Sequence, residues 1–315
     1  MTDSDEHIQP SPDTEPFVVP ELSFVDRYGI HPLLFAFVSL VSIFLFYQVG
    51  GGILTFLVTG ATAVTRDNVW SMRWLTVAGQ LCFILVPTLL IARLFTVHLR
   101  EVFQFRVPGL WESTLALVAL FSLQRVFETY MYFQEQVPMP ELFRDIIEPM
   151  RKMLEELTKV LLQANSPGEL AAVVLVVAIV PAVVEEMLFR GLIQKIFERL
   201  MSPVVSAVLA GTIFGLFHVN PFEIVPLVGL GVFFGLLRYR SQSLLLPIAA
   251  HFFNNLMAVL ASFYGLQDDN LVAAAQKTSS APVMILDLFF FAAIFFFTFV
   301  LYLRITHDIS WRGHS

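Results

Sequence analysis

The sequence predicts an all-α, polytopic integral membrane protein of about eight transmembrane helices with an amphipathic connector, and three features carry that reading. Apolar residues make up 57% of the 315 residues, and Phe alone occurs 32 times. Charged residues make up only 14%, against roughly 25% in a soluble domain, so the chain holds more apolar surface than a soluble core of its size needs. Apolar stretches near the 20 or so residues that cross a 30 Å hydrocarbon core recur along the chain. Trp70, Trp74, Trp111 and Trp311 fall near the ends of such stretches, where interfacial aromatics belong.

Residues 1–30 hold Asp3, Asp5, Glu6, Asp13, Glu15 and Glu21 among Pro10, Pro12, Pro16 and Pro20, and are expected to form a flexible acidic tail. This tail supplies much of the net charge of −7 and lacks the pattern of a cleaved signal peptide. Residues 31–168 are read as N-terminal transmembrane helices plus the connector, 169–263 as a unit carrying the chemistry, and 264–315 as a last transmembrane helix with a cytoplasmic tail. The expected spans are 32–60, 72–96, 110–128, 169–195, 203–219, 222–239, 244–263 and 282–304. Between the third and fourth, residues 138–168 place Leu142, Ile146, Met150, Met153, Leu157 and Leu161 at helical spacing among charges. That pattern predicts one or two amphipathic helices broken at Pro149, packed on the bundle or on the membrane surface.

Eleven of the 19 Lys and Arg fall on the side of the termini under this topology and eight on the other, so both termini are expected in the cytoplasm of a multi-pass cell-membrane protein. No basic stripe supports nucleic-acid binding. Cys82, the single cysteine, excludes an intrachain disulfide and a cysteine-based metal site.

The fourth apolar stretch contains Glu185, Glu186 and Arg190. A charge near the bilayer centre costs roughly 2.5–3.5 kcal/mol on insertion scales, so an intramembrane ionisable group is a candidate functional site. On a helix Glu186 and Arg190 share a face and neutralise each other, while Glu185 points about 100° away and stays free. Pro181, one turn earlier, kinks the helix and frees the carbonyl of Val177. Two further apolar stretches carry His218, and His251 with Asn255. His251 and Asn255 are four residues apart and point from one helical face; Asn254 lies beside that face and is expected to contact substrate. Gln80, Gln124, Arg125, Glu128 and Asp287 are read as polar residues near segment ends or paired with neighbours.

These residue types suit hydrolysis of an amide bond in or beside the membrane. Glu185 is the candidate general base. His218 would share and orient the attacking water. His251 and Asn255 would donate hydrogen bonds to the oxyanion, a contribution of about 2.7–4 kcal/mol per donor in a known protease.

Glu-Glu-x-x-x-Arg at 185–190, Phe-x-x-x-His at 214–218 and His-x-x-x-Asn at 251–255, in this order on successive apolar segments, resemble the three motifs of the CPBP family. That family comprises CAAX proteases and bacteriocin-processing enzymes and is also called Abi. The resemblance covers about 170–262, and the helix count also resembles that of the CAAX prenyl endopeptidases, which remove a C-terminal tripeptide after a prenylated cysteine. It implies that Glu185, His218, His251 and Asn255 are catalytic, that Glu186 and Arg190 support them, that no bound metal is required, and that the partners are membrane lipid and a lipidated or membrane-associated protein substrate. Two other readings stay open: a zinc protease using His218, His251 and a glutamate, and a non-enzymatic membrane scaffold or regulator. A transporter lacks the inverted repeat or matched broken helices that would favour it.

Overall fold

The computed structural model describes residues 22–60, 65–138, 141–266 and 281–307. All of the regular structure among them is helical. Two short helices, α1 (Phe24–Arg27) and α4 (Leu99–Val102), lie at one end of a bundle. Seven helices are long and apolar enough to cross a membrane: α2 (Pro32–Thr59), α3 (Val69–Phe95), α5 (Leu110–Gln136), α7 (Pro167–Glu198), α9 (Ile224–Ser241), α10 (Leu245–Phe263) and α11 (Ala281–Ile305). The amphipathic α6 (Glu141–Leu162) and the apolar α8 (Pro203–Phe217) complete the fold.

Helix α8, the expected fifth span, has 15 residues and rises about 22 Å, short of a 30 Å core. Ser202 caps its start by accepting from the Val205 N–H, and Pro203 occupies its first position. It ends at His218, after which Val219 takes φ of 50°, a left-handed conformation that a β-branched residue rarely adopts. Because α8 stops early, its C-terminal histidine sits inside the bundle's depth. Glu185 lies 13 residues, or about 20 Å, from the same end of α7, so the two meet.

Helices α8 and α9 run antiparallel with their backbones in contact. A Cβ on Gly211 would stand 2.3 Å from the Val232 nitrogen, and one on Gly231 would stand 2.4 Å from the Gly211 oxygen. Glycine is required here by close approach, in the manner of small-residue membrane interfaces. Replacing Gly211 with Leu is expected to force the pair apart and abolish the monodisperse peak of the detergent-solubilised protein on size-exclusion chromatography. The same change at Gly52, whose Cβ would meet nothing within 4 Å, is expected to leave the peak intact.

Two apolar cores flank this pair. One joins α2, α3, α7 and α8 through Ile43, Phe95, Leu188, Phe189 and Phe214. The other joins α5, α9, α10 and α11 through Leu120, Phe234, Leu237, Ala250 and Tyr302, with the Tyr302 hydroxyl donating to the Leu237 carbonyl at 3.2 Å. Both described ends of the chain lie at the same end of the bundle. Asp26 pairs with Arg199 at 2.9 Å, and Arg240 donates to Thr306 at 3.2 Å. The expected tail is thus packed in its last part, where Val25 of α1 is 2% exposed; residues 1–21, like Trp311, lie outside the described residues.

At the opposite end α6 runs as one helix through Pro149 rather than breaking there. The proline removes the N–H that would bond the Asp145 carbonyl, but Asp145 is exposed, so solvent can serve that group. The C-terminal end of α6 is held by Arg73, which is 1% exposed and donates to the carbonyls of Leu161 at 2.9 Å, Val160 at 3.3 Å and Gln163 at 2.5 Å. A guanidinium there satisfies terminal carbonyls and complements the helix dipole.

Arg73, Arg190 and Arg238 are each 1% exposed or less. They are interior groups, not loop charges. Removing Arg190 and Arg238 from the eleven and Arg73 from the eight leaves nine against seven, and the basic asymmetry no longer decides the orientation.

Candidate active site

The site is assembled on α7, whose path is interrupted twice by π-helical segments, Val174–Ile179 and Met187–Ile193, on either side of Glu185 and Glu186. Further π-helical segments occur in α2 (Phe46–Gly50) and α3 (Gln80–Leu85); the α3 segment packs on the part of α7 that holds the glutamates. Such bulges change which side chains face inward and recur at functional sites.

Glu186 and Arg190 form the expected pair, at 2.7 Å and with both side chains 0% exposed. Arg190 also donates to the Gly231 carbonyl at 2.8 Å, and its guanidinium lies 4.5 Å from the centre of the Phe214 ring. The same Glu186 oxygen that meets Arg190 meets His251 Nδ1 at 2.9 Å. A carboxylate only accepts, so His251 carries its proton on Nδ1 and turns Nε2 the other way. The His251 ring is stacked on Phe234 at 5.3 Å and meets Phe214 edge-on at 5.8 Å. Glu186 thus holds Arg190 and His251 in place through Oε1 alone, and its Oε2 is buried without a hydrogen-bond partner.

Glu185 is different. Its side chain is 16% exposed, and its Oε2 is buried without a hydrogen-bond partner. That oxygen faces His218 Nε2 across 3.8 Å, beyond direct hydrogen-bond range. His218 Nδ1 lies 2.8 Å from the Phe214 carbonyl, which can only accept, so the neutral ring presents an unprotonated Nε2 to Glu185. Phe214 thus touches both histidines and the arginine, and the motif that spaces it four residues before His218 places its carbonyl and ring together.

Asn255, on the His251 face of α10, donates through Nδ2 to the Val177 carbonyl at 3.0 Å. Pro181 has no N–H to give that carbonyl, so the group freed by the proline becomes the anchor for the asparagine. Asn254 is turned toward Asn255 and α5: its Nδ2 donates to Asn255 Oδ1 at 3.1 Å, and its Oδ1 accepts from Gln124 at 2.9 Å. Sequence reasoning left Gln124 with no role at the site, because nothing local links it to a residue 130 positions away. It also missed Tyr47, which lies within electrostatic reach of Glu185 and pairs with the Gln80 side chain. Gln80 was visible as an intramembrane polar residue; Tyr47 carried no signal.

Among the described residues no group of three or more His, Cys, Asp and Glu could hold a metal ion. His218 and His251 each commit Nδ1 to an internal partner, which leaves Nε2 of each ring open.

A cavity of about 840 Å³ lies between α6 and the loop that follows His218. Asn220, Phe222 and Glu223 line its floor and Arg151 and Lys152 its roof. Arg151 covers the Phe222 ring at 4.7 Å, and Gln134 donates to the Phe222 carbonyl at 2.9 Å, so roof and floor are tied together.

Residues 167–257 match the family model described as Rce1-like, type II CAAX prenyl endopeptidase Rce1-like. No curated protein and no solved structure matches the chain. The matched stretch opens on the first residue of α7 and closes two residues past Asn255, so it contains every candidate catalytic residue and excludes α2, α3, α5, α6 and α11. The likeness to the Rce1-like type II CAAX prenyl endopeptidases is thus confined to residues 167–257, the part of the chain that holds the site.

Proposed function

We propose that this protein hydrolyses a peptide bond in a lipidated, CAAX-type protein at the membrane, with Glu185 as general base. The observation that carries the reading is the contrast between two adjacent glutamates. Glu186 is committed through Oε1 to Arg190 and His251, whereas Glu185, partly exposed, turns its unbonded Oε2 toward the Nε2 of His218 across 3.8 Å. A single water can touch both atoms. Glu185 takes one of its protons as the water oxygen attacks the scissile carbonyl carbon, and His218 Nε2 accepts the other O–H and aims the lone pair. The carbonyl oxygen becomes the oxyanion, received by the second N–H of Asn255 Nδ2 and by His251 Nε2. His251 donates there in its doubly protonated form, with its Nδ1 proton accepted by the Glu186 carboxylate. When the C–N bond breaks, Glu185 returns the proton to the leaving amine, and the second carboxylate never needs to titrate. Burial of these donors in a water-poor bundle is what makes them strong.

On this reading the peptide portion of the substrate occupies the polar cavity bounded by α6 and the loop after His218, and the lipid stays in the bilayer. The test is cleavage of a fluorogenic prenylated CAAX peptide beside its unprenylated twin by purified protein, with Glu185→Ala as control and with a zinc chelator in a parallel series. Glu185-dependent cleavage confined to the prenylated peptide and indifferent to chelator is the expected result. Cleavage of neither peptide would overturn the CAAX reading, and chelator inhibition reversed by zinc would overturn the glutamate mechanism.

A further inference from the structure

The match to known peptidases stops at residue 257 and begins at 167, yet one of the side chains wired into the site comes from α5, outside that range. Gln124 Nε2 donates to Asn254 Oδ1 at 2.9 Å, Asn254 Nδ2 donates to Asn255 Oδ1 at 3.1 Å, and Asn255 Nδ2 donates to the Val177 carbonyl at 3.0 Å. The direction of every bond follows from the two ends. The last acceptor is a backbone carbonyl, which cannot donate, so Asn255 must present its NH2 there and its oxygen to Asn254. Asn254 must then present its NH2 to Asn255 and its oxygen to α5, where only a donor will serve. Glutamine supplies that donor.

We propose that Gln124 is a positioning residue for peptide hydrolysis. Acting through Asn254, it fixes the amide of Asn255 so that one N–H holds Val177 and the other is left to face the substrate oxyanion. The proposal rests on the reading of Asn255 given above. It reassigns Asn254 from substrate contact to relay, since both ends of its amide are occupied by protein. Without the relay the Asn255 amide is free to turn over and offer its oxygen to the developing negative charge, which repels where it should attract. The cost then falls on the transition state and leaves substrate binding nearly unchanged.

The experiment is a double-mutant cycle on a peptide whose cleavage depends on Glu185, comparing Gln124→Met, Asn255→Ala and the two combined, with thermal unfolding measured on each. Met keeps the length of Gln without its amide. Gln124→Met is expected to lower kcat about tenfold with KM within about twofold, and Asn255→Ala to lower kcat about a hundredfold, the scale of a lost oxyanion donor. The double variant is expected to be no slower than Asn255→Ala alone, because a relay that acts only through Asn255 has nothing left to position. Unchanged kcat in Gln124→Met would overturn the proposal. So would a double variant slower by the product of the two, which is the signature of a general packing defect. If Asn255→Ala cleaves normally while Glu185→Gln is dead, Asn255 is no oxyanion donor and the relay falls with it. If Glu185→Gln itself stays active, it is the catalytic reading that has failed.

Discussion

Glu185→Gln is expected to lower kcat on a cleavable peptide by about a thousandfold or more, within the 10²–10⁴ range of a lost general base, while the protein inserts and purifies as before. The substitution keeps the shape of the side chain and removes its capacity to take a proton. Its effect on stability should run the other way. The Glu185 Oε2 is buried with no hydrogen-bond partner, and an unpaired carboxylate in the interior is costly, so exchanging it for a neutral amide removes a penalty. The unfolding temperature of Glu185→Gln is therefore expected to equal or exceed that of the parent. The neighbouring Glu186→Gln should instead lower the unfolding temperature, since it uncouples Arg190 and His251 and weakens the fold. Kinetics and thermal unfolding of the two variants measured together check this. Equal loss of stability in both would show that the two glutamates share a structural role and that Glu185 is not held in reserve for chemistry.

The division of labour between those glutamates was legible before any coordinates, because helical geometry alone puts Arg190 on the face of Glu186 and turns Glu185 away. The glycines of α8 and α9 were legible for a similar reason: small residues at short spacing in apolar helices have few uses other than close packing. The role of Pro181 was half legible. Its missing N–H pointed to the Val177 carbonyl, but the partner that takes that carbonyl, Asn255, lies three helices later. What the sequence did not disclose is long-range by nature. Arg73 reads as a loop cation from its neighbours and turns out to cap a helix nearly ninety positions away. Gln124 reads as a polar residue near a span end until α10 is laid against α5. The π-helical interruptions of α2, α3 and α7 leave no periodic trace, since one extra residue in a turn shifts an apolar pattern without erasing it. The short α8 was overestimated by two residues, since the expected span took in His218 and Val219, whereas the helix stops at Phe217 and Val219 turns to a positive φ.

Arg190→Met should be the most damaging single change to the fold, destabilising it by about 3–5 kcal/mol, the cost of breaking a buried ion pair from one side. The guanidinium is 0% exposed and does three things at once: it neutralises Glu186 at 2.7 Å, satisfies the Gly231 carbonyl at 2.8 Å, and fills the space beside Phe214. Methionine restores only the volume. Among the described residues only His251 then remains at hydrogen-bond distance from the buried Glu186 carboxylate, and the Gly231 carbonyl on α9 loses its donor. Combining Arg190→Met with Glu186→Leu removes the stranded charge along with its partner, and apolar replacement of a whole buried pair is often neutral or stabilising, so the double variant should unfold at a higher temperature than Arg190→Met alone. Activity should not follow stability back. With Glu186 gone, His251 has no carboxylate to accept its Nδ1 proton and hold the ring that donates from Nε2. A double variant that is stable and inactive would separate the two duties of this pair, and one that is stable and active would show that the pair serves the fold alone and that His251 needs no carboxylate behind it.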